Sequence, residues 1–312
     1  MCVGPSEVRS SLDEIRPQGR CSNESMPGYQ RLYERLDATR SRSPIADSSS
    51  RTRFVDAVTL TPIPAIGPVM PGADLGELIT KAAAGTGICL ASGDVVVVAQ
   101  KVVSKSENRF VDLATIEPGQ EAMRIAAEAE KDPRVVELVL RESTAVVRVA
   151  PGVVITRHRL GYVMANAGID RSNVGSTDAQ GHTDAVVLLP ENPDASARRI
   201  RARLGELASV DCAVIVNDSF GRPWRLGTCG VAIGTAGIGA LADRRGEFDL
   251  DGRRLETTEV AVADQIAAAA SMLQGEGSEG RPVVVLSGLC FARAPDIGAG
   301  ALIRPIQMDL FQ

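Results

Sequence analysis

Four consecutive valines, Val95–Val98 within the run GDVVVVAQ from Gly93 to Gln100, constrain this chain more than any other stretch. A strand with one wet face has to alternate, so a run without alternation reads as a strand buried in a sheet. Further strands are expected at Val55–Leu60, Ala145–Val149, Val153–Thr156, Ala185–Leu189, Cys212–Asn217 and Arg281–Ser287. Helices are expected at Asp74–Ala84 with Asp74 as N-cap, at Glu121–Ala129 and Arg134–Glu142 on either side of Asp132-Pro133, from Asp194 to about Ala208, and at Thr257–Gln274. Pro62–Pro71 reads as a proline-rich loop and Lys101–Arg109 as a polar segment. Strands and helices mix without a regular strand–helix–strand beat, so the expected fold class is α+β with mixed sheets rather than a doubly wound parallel sheet.

The first 53 residues differ from the rest. Met1–Arg53 is rich in Ser and Arg and lacks sustained apolar periodicity, which reads as a mostly disordered extension ahead of a globular body from Phe54 to Gln312. With 44% apolar residues over 312, the chain can bury one large core or two small ones. A net charge of −5 and the lack of a basic run with interleaved aromatics argue against nucleic acid as a partner. Apolar stretches such as Val95–Ala99 and Val283–Leu286 fall far short of the roughly 20 residues that span a bilayer, so no membrane segment is expected. Six cysteines occur without a CxxC pair and beside only two histidines, His158 and His182, which disfavours a zinc site. They read as buried, reduced thiols of a cytoplasmic protein, Cys212 and Cys290 following or filling apolar strands.

Two stretches carry the chemistry: ANAGIDRSNV from Ala165 to Val174, and VNDSFGRPWR from Val216 to Arg225. Each places one carboxylate, Asp170 or Asp218, among Gly, Asn and Ser just past an apolar run, as in a strand end turning into a cleft-lining loop. Two such loops can converge on a hard divalent cation, which takes oxygen ligands and leaves positions for substrate phosphates. Asn173 and Ser219 add oxygen donors beside them, although an Asp in such a loop is also the ordinary residue of an Asx-turn or helix cap. Lys101 and Lys105, with Ser104 and Ser106, follow the strongest strand and suit a phosphate, or else form an exposed basic turn. Arg222 and Arg225 flank Pro223-Trp224 and offer two guanidinium forks, or else belong to a surface loop with the lone tryptophan in the core. Glu276 sits in a glycine-rich turn and reads as solvated. Glycines at 227, 230, 234, 237 and 239 must pack against backbone or ligand.

Taken together and in order, PGADL, GDVVVVAQKVVSKSE, ANAGIDRSNV, NDSFGRPWR, GVAIG and TTEVAVADQIAAAASMLQG resemble the coenzyme F420-0:L-glutamate ligase family of gamma-glutamyl ligases, from about Val55 to the end. The resemblance implies two intertwined subdomains, commonly in a homodimer. It also implies a GTP-dependent ligase using Mg²⁺ or Mn²⁺, with K⁺ as a further candidate. Its small-molecule partners would be GTP, L-glutamate and coenzyme F420-0, glutamate being joined to the lactyl carboxylate and further glutamates then added through the gamma-carboxylate. By position, Asp170 and Asp218 match the family's metal aspartates, Ser219 a metal-contacting Thr, and Glu276 a metal-binding Gln of some members. Asn173 and Lys105 match nucleotide-contacting positions, Gln100 stands where a small hydroxyl residue can occur, and Gly67, Pro68, Val69 and Met70 match a nucleotide-binding segment. Arg222 or Arg225 would take an acidic group of the substrate.

The implied chemistry is physically coherent. A carboxylate has no usable leaving group at neutral pH, so condensing it with an amine requires prior conversion to an acyl phosphate, a step that needs positioning and charge neutralisation rather than a nucleophilic side chain. A metal-dependent phosphotransferase or hydrolase would use the same aspartates without needing glutamate. A non-catalytic deazaflavin or nucleotide binder would keep its ligand in chelator.

Overall fold

The structure is a computed structural model that describes residues 57–64, 66–171, 184–293 and 297–309. The expected extension Met1–Arg53 lies outside the described residues, as does Asn173.

Along the chain, β1 (Thr59–Ile63) leads to α1 (Leu75–Gly85), β2 (Val95–Ala99), α2 (Gln100–Ser106) and β3 (Phe110–Asp112). Helices α3 (Gln120–Ala129) and α4 (Pro133–Arg141) precede β4 (Ser143–Ala150), β5 (Val153–His158), β6 (Val163–Ala165) and β7 (Ala185–Val187). Then come α5 (Pro193–Ala208), β8 (Ala213–Arg222), β9 (Arg225–Ala236), the short β10 (Ala242–Asp243) and β11 (Glu259–Val260), α6 (Val262–Gln274) and β12 (Val283–Ser287).

The valine run is the middle strand of a five-stranded sheet ordered β1-β12-β2-β8-β9. Val96 and Val98 face one core with Ile79 of α1 and Ile200 and Leu204 of α5; Val95 and Val97 face another with Ile266, Ala267 and Ala270 of α6. Helices on both faces are what a strand without alternation requires. The pairing of β2 with β8 is parallel and the other pairings are antiparallel, so the sheet is mixed, as the α+β reading expected. A third core joins α3 and α4 through Ile125, Val136 and Val139 to Val154 of β5, Val186 of β7 and Ala167. The segment that builds this core is inserted between α2 and α5, that is, between the two parallel strands.

Strand β9 shows why its glycines are needed. Its partners slip by one residue between Val216↔Gly234 and Asn217↔Ala232, a bulge that leaves Ile233 extra. An extra residue reverses the face on which every later side chain lies. Gly230 and Ala232 therefore face α6, where a Cβ on Gly230 would strike the carbonyl of Ala267, while Gly234 and Ala236 face α5, where a Cβ on Gly234 would strike the carbonyl of Pro193. Two helices thus close onto one strand from opposite sides through notches only glycine provides. The outer edge of β9 is finished by side chains: Asp264 accepts from Ala232 N at 3.0 Å, Tyr162 OH donates to Ile233 O at 2.6 Å, and Asp194 accepts from Thr235 N at 2.8 Å.

Several expectations need correction. The first strand runs Thr59–Ile63, so Pro62 and Ile63 belong to it rather than to the loop; proline is tolerated because β1 is the outermost strand. The polar segment after β2 is a helix, α2, in which Val103 is buried and Ser104 donates to Gln100 Oε1 at 2.9 Å. The helix expected from Asp194 starts one residue earlier, at Pro193, with Asn192 as its cap accepting from Ala195 N, which leaves Asp194 for β9. The helix expected from Thr257 begins at Val262, after β11. Cys212 is buried, but Cys290 and Cys89 are exposed and Cys229 is half-buried; all four are free. Trp224 is 85% exposed rather than core. No described helix is long and apolar enough to cross a membrane.

Gly234→Ala is expected to destabilise the protein by about 1–3 kcal/mol through overpacking against Pro193, whereas Gly85→Ala, which meets open space, should be neutral or slightly stabilising. Urea unfolding of the two variants beside the parent checks this; equal midpoints would discard the notch.

Candidate active site

Parallel pairing sets the site. With Ala99 beside Asn217 the parallel pairing ends: β2 gives way there to α2, while β8 runs on against β9 to Arg222. Between them opens a cavity of about 690 Å³, within the range of small-molecule sites. From the β2 side it is lined by Gln100, Lys101 and Lys105 of α2, and from the β8 side by Asn217, Asp218 and Ser219. Gln274 and the turn Gly275–Pro282 close another wall, and Ile66, Gly67, Asp170 and Thr228 complete the rim. A smaller cavity of about 290 Å³ between α1 and α5 holds arginines already engaged, Arg203 with Asp74 and Arg199 with Glu107.

Asp170 reaches this cavity by an unusual path. Asn166, Ala167 and Gly168 all adopt left-handed φ values, 51°, 51° and 67°, and Ala167 is fully buried. Left-handed backbone at non-glycine residues costs on the order of 1–3 kcal/mol each and gathers at functional sites. Here Asn166 Oδ1 accepts from Val154 N at 3.1 Å, and Asp170 then exchanges both backbone hydrogen bonds with Val187, at 3.1 and 2.9 Å. The described part of the first aspartate stretch, residues 165–171, is therefore a pinned corner. The second is not a loop at all: Asp218 and Ser219 are residues of β8, which runs on into a hairpin turning at Pro223-Trp224.

The charges in the cavity are uneven. Lys101 Nζ lies 2.7 Å from Asp170 Oδ2. Ser219 Oγ donates to Glu276 Oε1 at 2.6 Å, and Glu276, exposed as its turn suggested, lines the same cavity. Burial pushes the Asp218 carboxyl up to about 7; the negative charges of Asp170 and Glu276 push the same way, against the Ser219 amide and Lys101. Burial, and then the neighbouring Lys101 ammonium, lower the Lys105 value. Among the described residues no three His, Cys, Asp or Glu side chains are gathered closely enough to hold a metal ion. The donor types nonetheless suit a hard divalent cation: carboxylates and a hydroxyl, with neither sulfur nor imidazole on the lining, and a sheltered Asp218 carboxylate that an added positive charge would stabilise.

The remaining expected residues are placed as follows. Of the segment Gly67, Pro68, Val69 and Met70, only Gly67 reaches the cavity; Val69 packs in the core and Met70 is half-exposed. Arg222 and Arg225 face each other across the hairpin tip, away from the lining, with Arg222 Nη2 3.5 Å from Leu226 O. Asn173 is outside the described residues. Asn217, Gln274, Thr228, Ser271 and the turn around Glu276 line the cavity without having been singled out. The glycine density of GEGSEG after a long helix was the one available signal for that turn.

Comparison with known proteins points to a family. Residues 65–288 match the family model described as F420-0:Gamma-glutamyl ligase. The chain is similar to the coenzyme F420:L-glutamate ligase of Methanopyrus kandleri, 45% identical over 260 residues that cover 81% of this chain and 97% of the relative. It is also similar to the enzymes of that name from Methanothermobacter thermautotrophicus, at 43% over 77% of this chain and 93% of the relative, and Haloarcula marismortui, at 42% over 78% and 91%.

The raised Asp218 carboxyl has a consequence for stability. Its folded-state value lies above the ordinary 3.8, so the folded protein retains a proton that the unfolded chain releases, and stability falls as pH rises from about 4 to about 7. In chelator at pH 8, Asp218→Asn should therefore be more stable than the parent by about 2–4 kcal/mol, with the two converging near pH 4. Superimposable urea curves at pH 8 would contradict the assignment.

Proposed function

The chain belongs to the F420-0:gamma-glutamyl ligase family of amide-bond-forming enzymes, and we propose that it adds L-glutamate to coenzyme F420-0 in a GTP- and divalent-metal-dependent reaction through an acyl phosphate. Further gamma-linked glutamates would follow by the same chemistry. The observation that carries this reading is one cavity lined by three carboxylates, a serine hydroxyl and two lysines, where the parallel pairing of β2 with β8 ends. Such a lining neutralises and orients phosphates and offers no activated nucleophile, which is what phosphoryl transfer to a carboxylate demands.

In this reading Asp170, Asp218, Ser219 and Glu276 would hold Mg²⁺ or Mn²⁺. That ion, when bound, supplies charge neutralisation for the phosphates. Lys101 and Lys105 present ammonium groups to the transferred phosphoryl oxygens from α2, and the partly desolvated setting of Lys105 strengthens its attraction for an anion. Gly67 and Gln100 border the same space, and Asn173 keeps the nucleotide-contacting role its position implies. Arg222 and Arg225, on an exposed hairpin outside the lining, would take an acidic group of the substrate.

The working form we infer is a cytoplasmic homodimer. Free thiols at all four described cysteines suit a reducing compartment. Trp224 at 85% and Leu226 at 99% exposure, together with exposed Val146 and Val147 on β4, supply apolar surface of the kind subunit contacts cover.

Purified protein incubated with coenzyme F420-0, L-glutamate, GTP and Mg²⁺ or Mn²⁺ should yield a product heavier by one or more glutamyl units by mass spectrometry, and no gain when GTP or metal is withheld. GTP breakdown without any gain would replace the ligase reading with a phosphohydrolase. Asp218→Ala should lower metal-dependent ligation by at least ~100-fold in a folded protein; an unchanged rate would remove Asp218 from the metal site.

A further inference from the structure

Two side-chain cross-links tie β8 to the end of α6. Asn217 Nδ2 donates to Gln274 Oε1 at 2.6 Å, and two residues further along both segments Ser219 Oγ donates to Glu276 Oε1, also at 2.6 Å. The second link belongs to the candidate metal site. The first is made by two neutral amides with no chemistry to perform, and it is deeply buried, Asn217 being 3% and Gln274 8% exposed.

Gln274 uses its other end as well. Its Nε2 donates to Pro282 O at 3.1 Å and reaches Val97 O at 3.4 Å. Gln274 is the last residue of α6 and Pro282 immediately precedes β12, so a single side chain joins both ends of the turn 275–281. The Pro282 carbonyl also accepts from Ala99 N at 2.8 Å, which ties the same point to the end of β2. Within the turn, Glu279 folds back to accept from Gly277 N at 2.8 Å and fills the space above Gly275. The turn is therefore stapled at its base and braced inside. Closing a loop from its ends restricts every residue between them, and a hydrogen bond shielded from water does so more firmly than an exposed one.

We propose that Gln274 is a positioning residue: by clasping the ends of the turn 275–281 and holding Asn217, it sets Glu276 against Asp218 and Ser219 and so governs how well that wall of the cavity takes a divalent cation. Only the last clause rests on the metal-dependent reading above. The clasp itself is a statement about the turn.

The test uses the full chain with Gln274→Met, which keeps the length of the side chain but can neither donate nor accept to match. Amide hydrogen exchange followed by mass spectrometry should show peptides spanning 275–282 exchanging at least tenfold faster, with peptides from α1 and α5 unchanged. Mn²⁺ binding without nucleotide, read by electron paramagnetic resonance, should weaken at least tenfold. If Gln274→Met does not fold, Gln274→Asn, one methylene too short to bridge, gives the same readouts. Unchanged exchange in the turn, or a uniform rise over the whole chain, would overturn the clasp. Unchanged Mn²⁺ affinity beside a loosened turn would overturn its role at the cation wall. A parent protein that binds no Mn²⁺ would sink the metal reading instead, and the exchange data would still decide the clasp.

Discussion

The parallel register of β2 against β8 is the constraint from which the rest of the molecule follows. Ala99 and Asn217 stand side by side although 118 positions separate them (217 − 99), so the lysines that follow β2 and the Asp218 carboxylate of β8 meet in one cavity. A parallel pair cannot be joined by a tight turn. The chain accordingly travels out through α3, α4 and β3–β7, building a third core on the way, and Asp170 is delivered to the cavity on the return. The inserted region is thus both the crossover that parallel pairing demands and the carrier of a functional carboxylate.

Electrostatics in the cavity divides the acids into different roles. Asp170 is neutralised by Lys101, and Glu276 accepts from Ser219, but Asp218 is sheltered from water and stands between two other negative groups. A protein tolerates such an arrangement at a cost in its resting stability, and active sites are where that cost is recovered on binding. The left-handed turn at Asn166–Gly168 is a second expense of the same kind, a strained backbone held in place by a buried core.

Much of this was legible in the residues because it depends on local physics. The valine run, the Asp74 cap and the Asp132-Pro133 break announce themselves within a few positions. Asp170, Asp218 and Lys105 were also readable, and the structure brings them together. What escaped is non-local. The glycines of β9 read as residues that pack against backbone or ligand, but nothing nearby reveals that the backbone is that of α5 and α6, closing on a strand. Helix α2 was hidden by its polar composition, since only Val103 and Ser104 among its central residues turn inward. Glu276 is exposed, as its glycine-rich turn suggested, but its partner 57 positions away on β8 could not be read locally. Trp224 has the composition of a core residue and sits instead at a hairpin tip, where tertiary placement overrides hydrophobicity.

The finished edge of β9 bears on how the molecule behaves in a crowded solution. A sheet whose outermost strand offers free amides and carbonyls is a template for recruiting any extended segment that drifts past. Here Asp264, Tyr162 and Asp194 already occupy such groups along β9, and at the opposite margin Pro62 interrupts the row of donors on β1. Neither flank of the central sheet is an open template, so a protein built around four adjacent valines, among the stickiest of strand sequences, is guarded against fibrous self-association by a few side chains that take no part in its chemistry.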